Sequence, residues 1–264
     1  VSTLALSLAT LGALSLLFLA VYGLARGIDN FGIVDIAWSY AFGAVAIVHA
    51  LLGNGWFVRR ALIGTMVLLW SMRLGTHLLI RIARKHPVED GRYVQLRKDW
   101  EKGFAVKMGV FFQAQAVSVL ALAVPFVLSC ANPVEAVRPV EWAGALLWLL
   151  AISGEALADS QLSSFTGNPA NKGKVCDSGL WRYSRHPNYF FEWLIWVSFS
   201  LFGMASHLGW IGLFSPACIL YLLLRVTGIP ATEEQSIRSK GDSYRAYQRT
   251  TSAFVPLPPR RASS

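Results

Sequence analysis

The sequence predicts an all-α fold: a polytopic membrane protein with seven transmembrane helices, the N-terminus outside and the C-terminus cytoplasmic. Three observations carry that expectation. Of 264 residues, 54% are hydrophobic and only 15% are charged, where a soluble domain carries about 25% charged residues. Apolar runs of roughly twenty residues, enough to cross a bilayer, recur along the chain. The 24 Lys and Arg residues gather in alternate loops, the pattern that orients membrane helices. A net charge of +9 would also suit nucleic acid, but its confinement to alternate loops assigns it to orientation. Length suits one helical bundle, so a single transmembrane domain is expected over residues 1–264.

Taken in order, the expected spans are Thr3–Ala25, Phe31–Leu52, Trp56–Ile82, Gly109–Leu128, Val140–Leu162, Tyr189–Ser206 and Leu208–Gly228, followed by a cytoplasmic tail over 229–264. The first apolar run lacks a basic leader and a small-residue cleavage site, so it reads as a retained span. One set of loops holds Arg26, the block Arg81–Lys107, the block Lys172–Arg185 and the tail; the other holds only Arg59, Arg60 and Arg138. The rich side is expected to be cytoplasmic, in a bacterial inner membrane. Pro256, Pro258 and Pro259 are expected to end ordered structure. Cys130, Cys176 and Cys218 are scattered, with no C-x-x-C, which predicts neither a disulfide framework nor a zinc site.

Polar residues within such spans are costly and point to function or to a buried partner. Span two carries Asp35 in the segment DIAWSY. Span three carries Arg73, with His77 and Arg81 following at four-residue steps on the same face. Asp35 is the expected partner of Arg73. In the loop EDGRYVQLRKDWEKGF, Arg92 and Arg97 suit either an interfacial helix or a cap whose guanidiniums hold phosphates. At the end of span five, Glu155 and Asp159 stack on one helix face, an arrangement that needs hydrogen bonds or a cation. The loop that follows is rich in Gly, Asn and Lys, but no G-x-G-x-x-G or G-K-[ST] occurs.

The densest polar stretch is GLWRYSRHPNYFFEW, Gly179–Trp193. Arg182, Tyr183, Arg185 and His186 precede Pro187, a residue suited to the first helical position. Asn188 and Glu192 are four apart and share a face of the helix that follows. A cationic loop feeding a helix that starts with an amide and a carboxylate is suited to an anionic, hydrogen-bonding ligand. Neither G-x-S-x-G nor H-E-x-x-H is present, and the five His show no metal-ligand spacing.

These residues carry a resemblance. ADSQL, the RHPNYFFEW run, TEEQ and SYRAYQRTTSAFVP together resemble the C-terminal region of the steroid 5α-reductase family, more closely its bacterial branch of uncharacterised membrane proteins. DIAWSY, WSMRLGTHLLIRI and EDGRYVQLR extend the likeness over most of 29–256. The resemblance implies NADPH bound on the cytoplasmic side and reduction of an activated C=C bond in a hydrophobic, steroid-like or other lipid substrate. It implies cofactor contacts from Asp159, Asn188, Glu192, Tyr183 and Tyr247. Arg92, Arg97, Glu155, Arg182, Arg185 and His186 are expected in the same layer on physical grounds. The likeness departs at the substrate end: the family's span-three Tyr is matched by Trp70, and span two holds no Glu. Asp35, with Arg73 or His77, is therefore the expected group polarising the substrate carbonyl.

A rival resemblance is to membrane methyltransferases of the isoprenylcysteine carboxyl type, which use S-adenosylmethionine. They share an Arg-His-Pro-x-Tyr segment and a Glu-rich tail helix, here Glu233-Glu234. A third possibility is a non-enzymatic lipid-binding or scaffold protein. Asp159-Ser160-Gln161, the Asn188/Glu192 pair and EDGRY favour the reductase.

Overall fold

A computed structural model describes residues 2–260. It is helical throughout, and no strand forms among the described residues. Two compact units emerge. One comprises Val1–Trp142 with Ser200–Ser215, the other Ala143–Phe199 with Pro216–Ser264.

The first unit opens with α1 (Thr3–Gly27), capped by the Ser2 hydroxyl, which accepts from the Ala5 N–H at 3.2 Å. Its buried residues, Leu6, Thr10, Leu14 and Phe18, form one stripe at four-residue steps, and the remaining surface is apolar and exposed, as a lipid-facing helix requires. The helices α2 (Ile33–Leu52) and α3 (Phe57–Lys85) are packed closely through small residues. A methyl group on Gly75 would lie 2.7 Å from the Tyr40 ring. Ser71 accepts from the Gly43 N–H at 3.0 Å and donates to the Ser39 carbonyl at 2.7 Å, so its hydroxyl is satisfied inside the contact. The short α4 (Gly91–Asp99) is capped by Asp90. The helices α5 (Phe104–Leu122) and α6 (Val124–Ala131) replace the single expected span 109–128, because Pro125 at the start of α6 lacks the N–H that continuity needs. Arg59, expected in a loop, is fully buried and bonded to Glu141 at 2.5 Å and to the Asn132 and Val134 carbonyls. It ties down the turn that follows α6.

In the second unit, α7 (Pro139–Gly167, from Ala143 onward) leads through 3₁₀ turns at Pro169–Asn171 and Gly179–Arg182 into α8 (Pro187–Gly203, as far as Phe199). Then come α9 (Phe214–Tyr221), a π turn (Leu222–Val226), the polar α10 (Ile229–Lys240) and α11 (Asp242–Thr250). The chain after α11 does not fray at its prolines. Leu257 donates its N–H to the Tyr183 carbonyl at 2.9 Å, and Arg260 donates to Thr250 at 2.8 Å. The expected end of order at Pro256 is therefore corrected: proline restricts the backbone but leaves neighbouring donors able to pin it.

Among the described residues, six helices are long and apolar enough to cross a membrane: Thr3–Gly27, Ile33–Leu52, Phe57–Arg84, Phe104–Leu122, Pro139–Gly167 and the composite Gly209–Lys240. The expected sixth span corresponds to α8, 17 residues long. It stops at Gly203 because the chain turns sharply there: a methyl group on Gly209 would lie 2.2 Å from the Gly203 carbonyl oxygen.

Candidate functional site

The polar residues of the second unit converge on the RYSRHP loop. Pro187 starts α8, which sets Asn188 and Glu192 on its first turns. Asn188 Nδ2 donates to Asp159 Oδ1 of α7 at 3.2 Å. One turn further, Glu192 Oε1 accepts from the Trp196 indole at 2.9 Å. Glu155, one turn before Asp159, is buried. Trp181 donates its indole N–H to the Ala158 carbonyl at 2.9 Å, and the Trp181 carbonyl accepts from the Tyr247 hydroxyl. Asp159 and Asn188 thus share a hydrogen bond, and Tyr247 is tied through Trp181 to Ala158, the residue before Asp159. Gly179 turns the loop at φ +59° and leaves no room for a side chain: a methyl group there would lie 2.5 Å from Gln161 Nε2, while Gln161 Oε1 accepts from the Leu180 N–H at 2.9 Å.

Arg185 and His186 face inward. Arg185 Nε donates to Glu233 Oε1 at 2.6 Å, Nη1 donates to the Gln248 and Thr251 carbonyls at 3.1 and 2.5 Å, and its backbone N–H donates to Ser252 at 2.8 Å. His186 Nε2 lies 3.3 Å from the same Glu233 oxygen, and its ring stacks on Tyr189 with centroids 5.3 Å apart. Gln248 Nε2 donates to the other Glu233 oxygen at 2.8 Å. Glu233 is therefore the hub that locks the Arg-His-Pro loop to α10 and α11. Arg182 and Tyr183 remain exposed. Arg182, Lys174, Asp177 and Tyr247 line an open cleft of about 740 Å³, whose lining excludes Asp159, Asn188 and Glu192. Burial, followed by Glu233's charge, pushes the Tyr244 hydroxyl up to about 12. Burial, followed by the neighbouring Tyr244, pushes the Tyr247 hydroxyl up further. Both are donors at neutral pH.

Polar residues of the first unit form a network of their own around Asp35 and Arg97. Asp35 Oδ2 accepts from Arg92 Nη2 at 2.7 Å, and Oδ1 accepts from the Tyr93 hydroxyl at 2.8 Å. The partners of Asp35 that the structure shows are thus on α4, which supplies a guanidinium and a phenol to its two carboxylate oxygens. Arg92 also donates to Asp90 at 3.2 Å. Burial acts to raise Asp90, but Arg92 outweighs it and holds the carboxyl below its usual range. Burial is the main cause that raises the Tyr93 hydroxyl, and the Asp35 charge adds to it. Arg97 donates to Glu89 at 2.8 Å and to Asp29 at 2.7 Å, while its guanidinium lies 4.8 Å from the Phe31 ring centroid. Arg73 is half-buried and His77 exposed on α3, and Trp70 is fully buried.

Gln248 as a partner of Glu233, and Tyr93 as a partner of Asp35, are absent from the site expected from sequence. Their signal is weak: each is an ordinary polar residue on an amphipathic helix, and only the fold pairs it with a group tens of residues away.

These features define a helical membrane protein whose C-terminal unit carries an ordered layer of polar side chains. The chain belongs to the DUF1295 family, described as a protein of unknown function, whose model matches residues 21–251. Both networks lie almost wholly inside that match. An uncharacterized protein of Schizosaccharomyces pombe, C594.04c, is 26% identical over 268 residues, which cover 89% of this chain and 75% of that protein. No solved structure matches the chain.

Proposed function

We propose that this chain is a membrane-embedded, NADPH-dependent reductase that transfers hydride to an activated C=C bond of a hydrophobic substrate. The observation that carries the reading is the linkage of Asp159, Asn188 and Tyr247 through the Trp181 loop. The same residues carry the resemblance to the steroid 5α-reductase family. Family membership over 21–251 is consistent with it.

The donor set fits a dinucleotide. Arg182 and Lys174 line the open cleft, with no ion pair among the described residues, and suit phosphates. Asp159, held by Asn188, suits ribose hydroxyls. When bound, the nicotinamide supplies the hydride. The chain's own part is to hold the cofactor, to keep Tyr247 protonated as a fixed donor to the loop, and to exclude water with apolar helices. Asp35, with both oxygens accepting, anchors α4, and the proposal leaves the polarising role to Arg73 or His77 of α3. The seven-span count, the cytoplasmic C-terminus and the inner-membrane location belong to the same proposal.

A second reading, S-adenosylmethionine-dependent methyl transfer, is favoured by one contact: Glu233 of the tail helix bonds Arg185 and His186 of the RHP segment. Ligand-dependent thermal stability of the purified protein separates the two. A ligand that binds the folded state alone raises stability by about 2.7 kcal/mol at a hundredfold excess over Kd. The reductase reading expects that effect from NADPH. Stabilisation by S-adenosylmethionine with NADPH inert would replace it with the methyltransferase, and inertness to both would leave a non-enzymatic role.

A further inference from the structure

Beside the open cleft, and sharing Gly173 and Lys174 with it, is a smaller pocket of about 210 Å³. Three of its lining residues are Lys172, Lys174 and Lys240, and no carboxylate is among them. Among the described residues, none of the three lysines forms an ion pair. This sets them apart from Arg92, Arg97 and Arg185, each of which meets a carboxylate at 2.8 Å or less.

The pocket is a built feature of the fold. The Asn168 side chain caps the 3₁₀ turn Pro169–Asn171, and Asn171 Nδ2 donates to the Phe165 carbonyl at 3.0 Å. Lys172 and Lys174 donate their backbone N–H groups to Pro169 and Asn171 at 3.2 and 3.0 Å. Between them Gly173 turns the chain at φ +78°, a conformation that favours glycine. From the other side comes Lys240, half-buried at the end of α10, its ammonium 5.9 Å from the Tyr244 ring centroid. Lys172, Lys174 and Lys240 line one concavity, and a polyanion seated there would neutralise their like charges. A phosphate dianion has the charge and the acceptor oxygens to meet three lysines at once.

We infer that Lys172, Lys174 and Lys240 form a binding site for a phosphate monoester. Two bearers share this chemistry: a nucleotide phosphate and an anionic lipid headgroup. The site shares Lys174 with the reductase reading and adds Lys172 and Lys240; it rests on that reading only for one bearer, the 2′-phosphate that would make the protein prefer NADPH to NADH.

The test uses the full chain in nanodiscs of zwitterionic lipid and two probes: 2′-AMP, followed by calorimetry, and phosphatidic acid introduced into the discs, followed by competition with 2′-AMP and by thermal stability. Lys172→Ala, Lys174→Ala and Lys240→Gln are compared with wild type. Each is expected to weaken the bound probe by about tenfold, with affinity falling as salt rises. Lysine-dependent binding of 2′-AMP identifies a nucleotide bearer. Lysine-dependent stabilisation by phosphatidic acid, with 2′-AMP inert, identifies the headgroup. Binding of neither probe, or equal binding by all three variants, overturns the inference. Binding of 2′-AMP by a protein that NADPH fails to stabilise would retain the phosphate site and refute the reductase.

Discussion

Replacing Glu233 by Gln should cost this protein more stability than any single polar change of similar size on its surface. The Arg185–Glu233 pair is largely buried, with side chains 10% and 16% exposed, so it is screened less than a surface pair. Glu233 accepts from Arg185 at 2.6 Å and from Gln248 at 2.8 Å, and it lies 3.3 Å from His186 Nε2. A glutamine presents one acceptor and one donor in the same space. It keeps one partner, turns an N–H towards another, and leaves Arg185 without its counter-charge. Hydrogen bonds to charged groups contribute about 1.5–3 kcal/mol, and removing one partner of a buried ion pair costs about 3–5 kcal/mol. Arg185 keeps the Gln248 and Thr251 carbonyls as acceptors, which places the expected loss near the lower figure, about 2–3 kcal/mol. The corresponding fall in Tm is about 4–12 °C. The measurement is a double-mutant cycle with Arg185→Gln, read by thermal unfolding of the purified protein. The expected coupling is at least about 1.5 kcal/mol, while additivity within about 0.5 kcal/mol would show that the two side chains do not support one another and would remove Glu233 as the hub.

Gly179→Ala should destabilise by about 2–3 kcal/mol, from forcing a side chain to positive φ and displacing the Gln161–Leu180 hydrogen bond; a thermal shift below about 2 °C would contradict it. Asp35→Asn should release α4, seen as faster hydrogen exchange over 91–99, while turnover with NADPH is retained; loss of turnover with α4 still protected would restore Asp35 to the chemistry. Alkaline stability should fall between pH 10 and 12. Tyr244 ionises at about 12 when folded, against an ordinary value of 10. The unfolded chain therefore releases its proton first, and the contribution present below pH 10 is lost as pH rises. Tyr244→Phe should flatten that part of the stability–pH curve.

Much of the architecture is legible because lipid imposes a strong rule. Backbone groups in hydrocarbon must bond within their own segment, so long apolar runs read directly as helices. The rule weakens where small residues and proline act together. Pro125 breaks what reads as one run into α5 and α6, and close contact at Gly203 and Gly209 shortens α8. Neither follows from hydropathy, since an apolar proline or glycine does not interrupt the run. For the site, four-residue spacing finds Asn188 and Glu192, because it is a local geometric fact. It cannot find Glu233, which lies 48 residues from Arg185, or the Asp35–Tyr93 pair, whose members are 58 apart.

The arginines show why partner choice changes the functional argument. Arg92, Arg97, Arg182 and Arg185 are equivalent in the sequence as phosphate ligands. In the folded chain Arg92 is held by Asp35 and Asp90, Arg97 by Glu89 and Asp29, and Arg185 by Glu233. A guanidinium already paired with a carboxylate gains little from a phosphate, because the new contact must first repay the broken one. Arg182 has no such pair among the described residues, and it opens on the same cleft as Lys174. In the proposed reading anion binding falls to Arg182 and the lysines, while each carboxylate-paired arginine fixes its own loop. On that division of labour, Arg182→Ala should weaken NADPH about tenfold or more and leave Tm within about 2 °C of wild type. Arg185→Ala should lower Tm by several degrees and weaken the ligand only through the fold. If Arg182→Ala lowers Tm as Arg185→Ala does, with affinity intact, the division is wrong and the cleft is not where the anion sits.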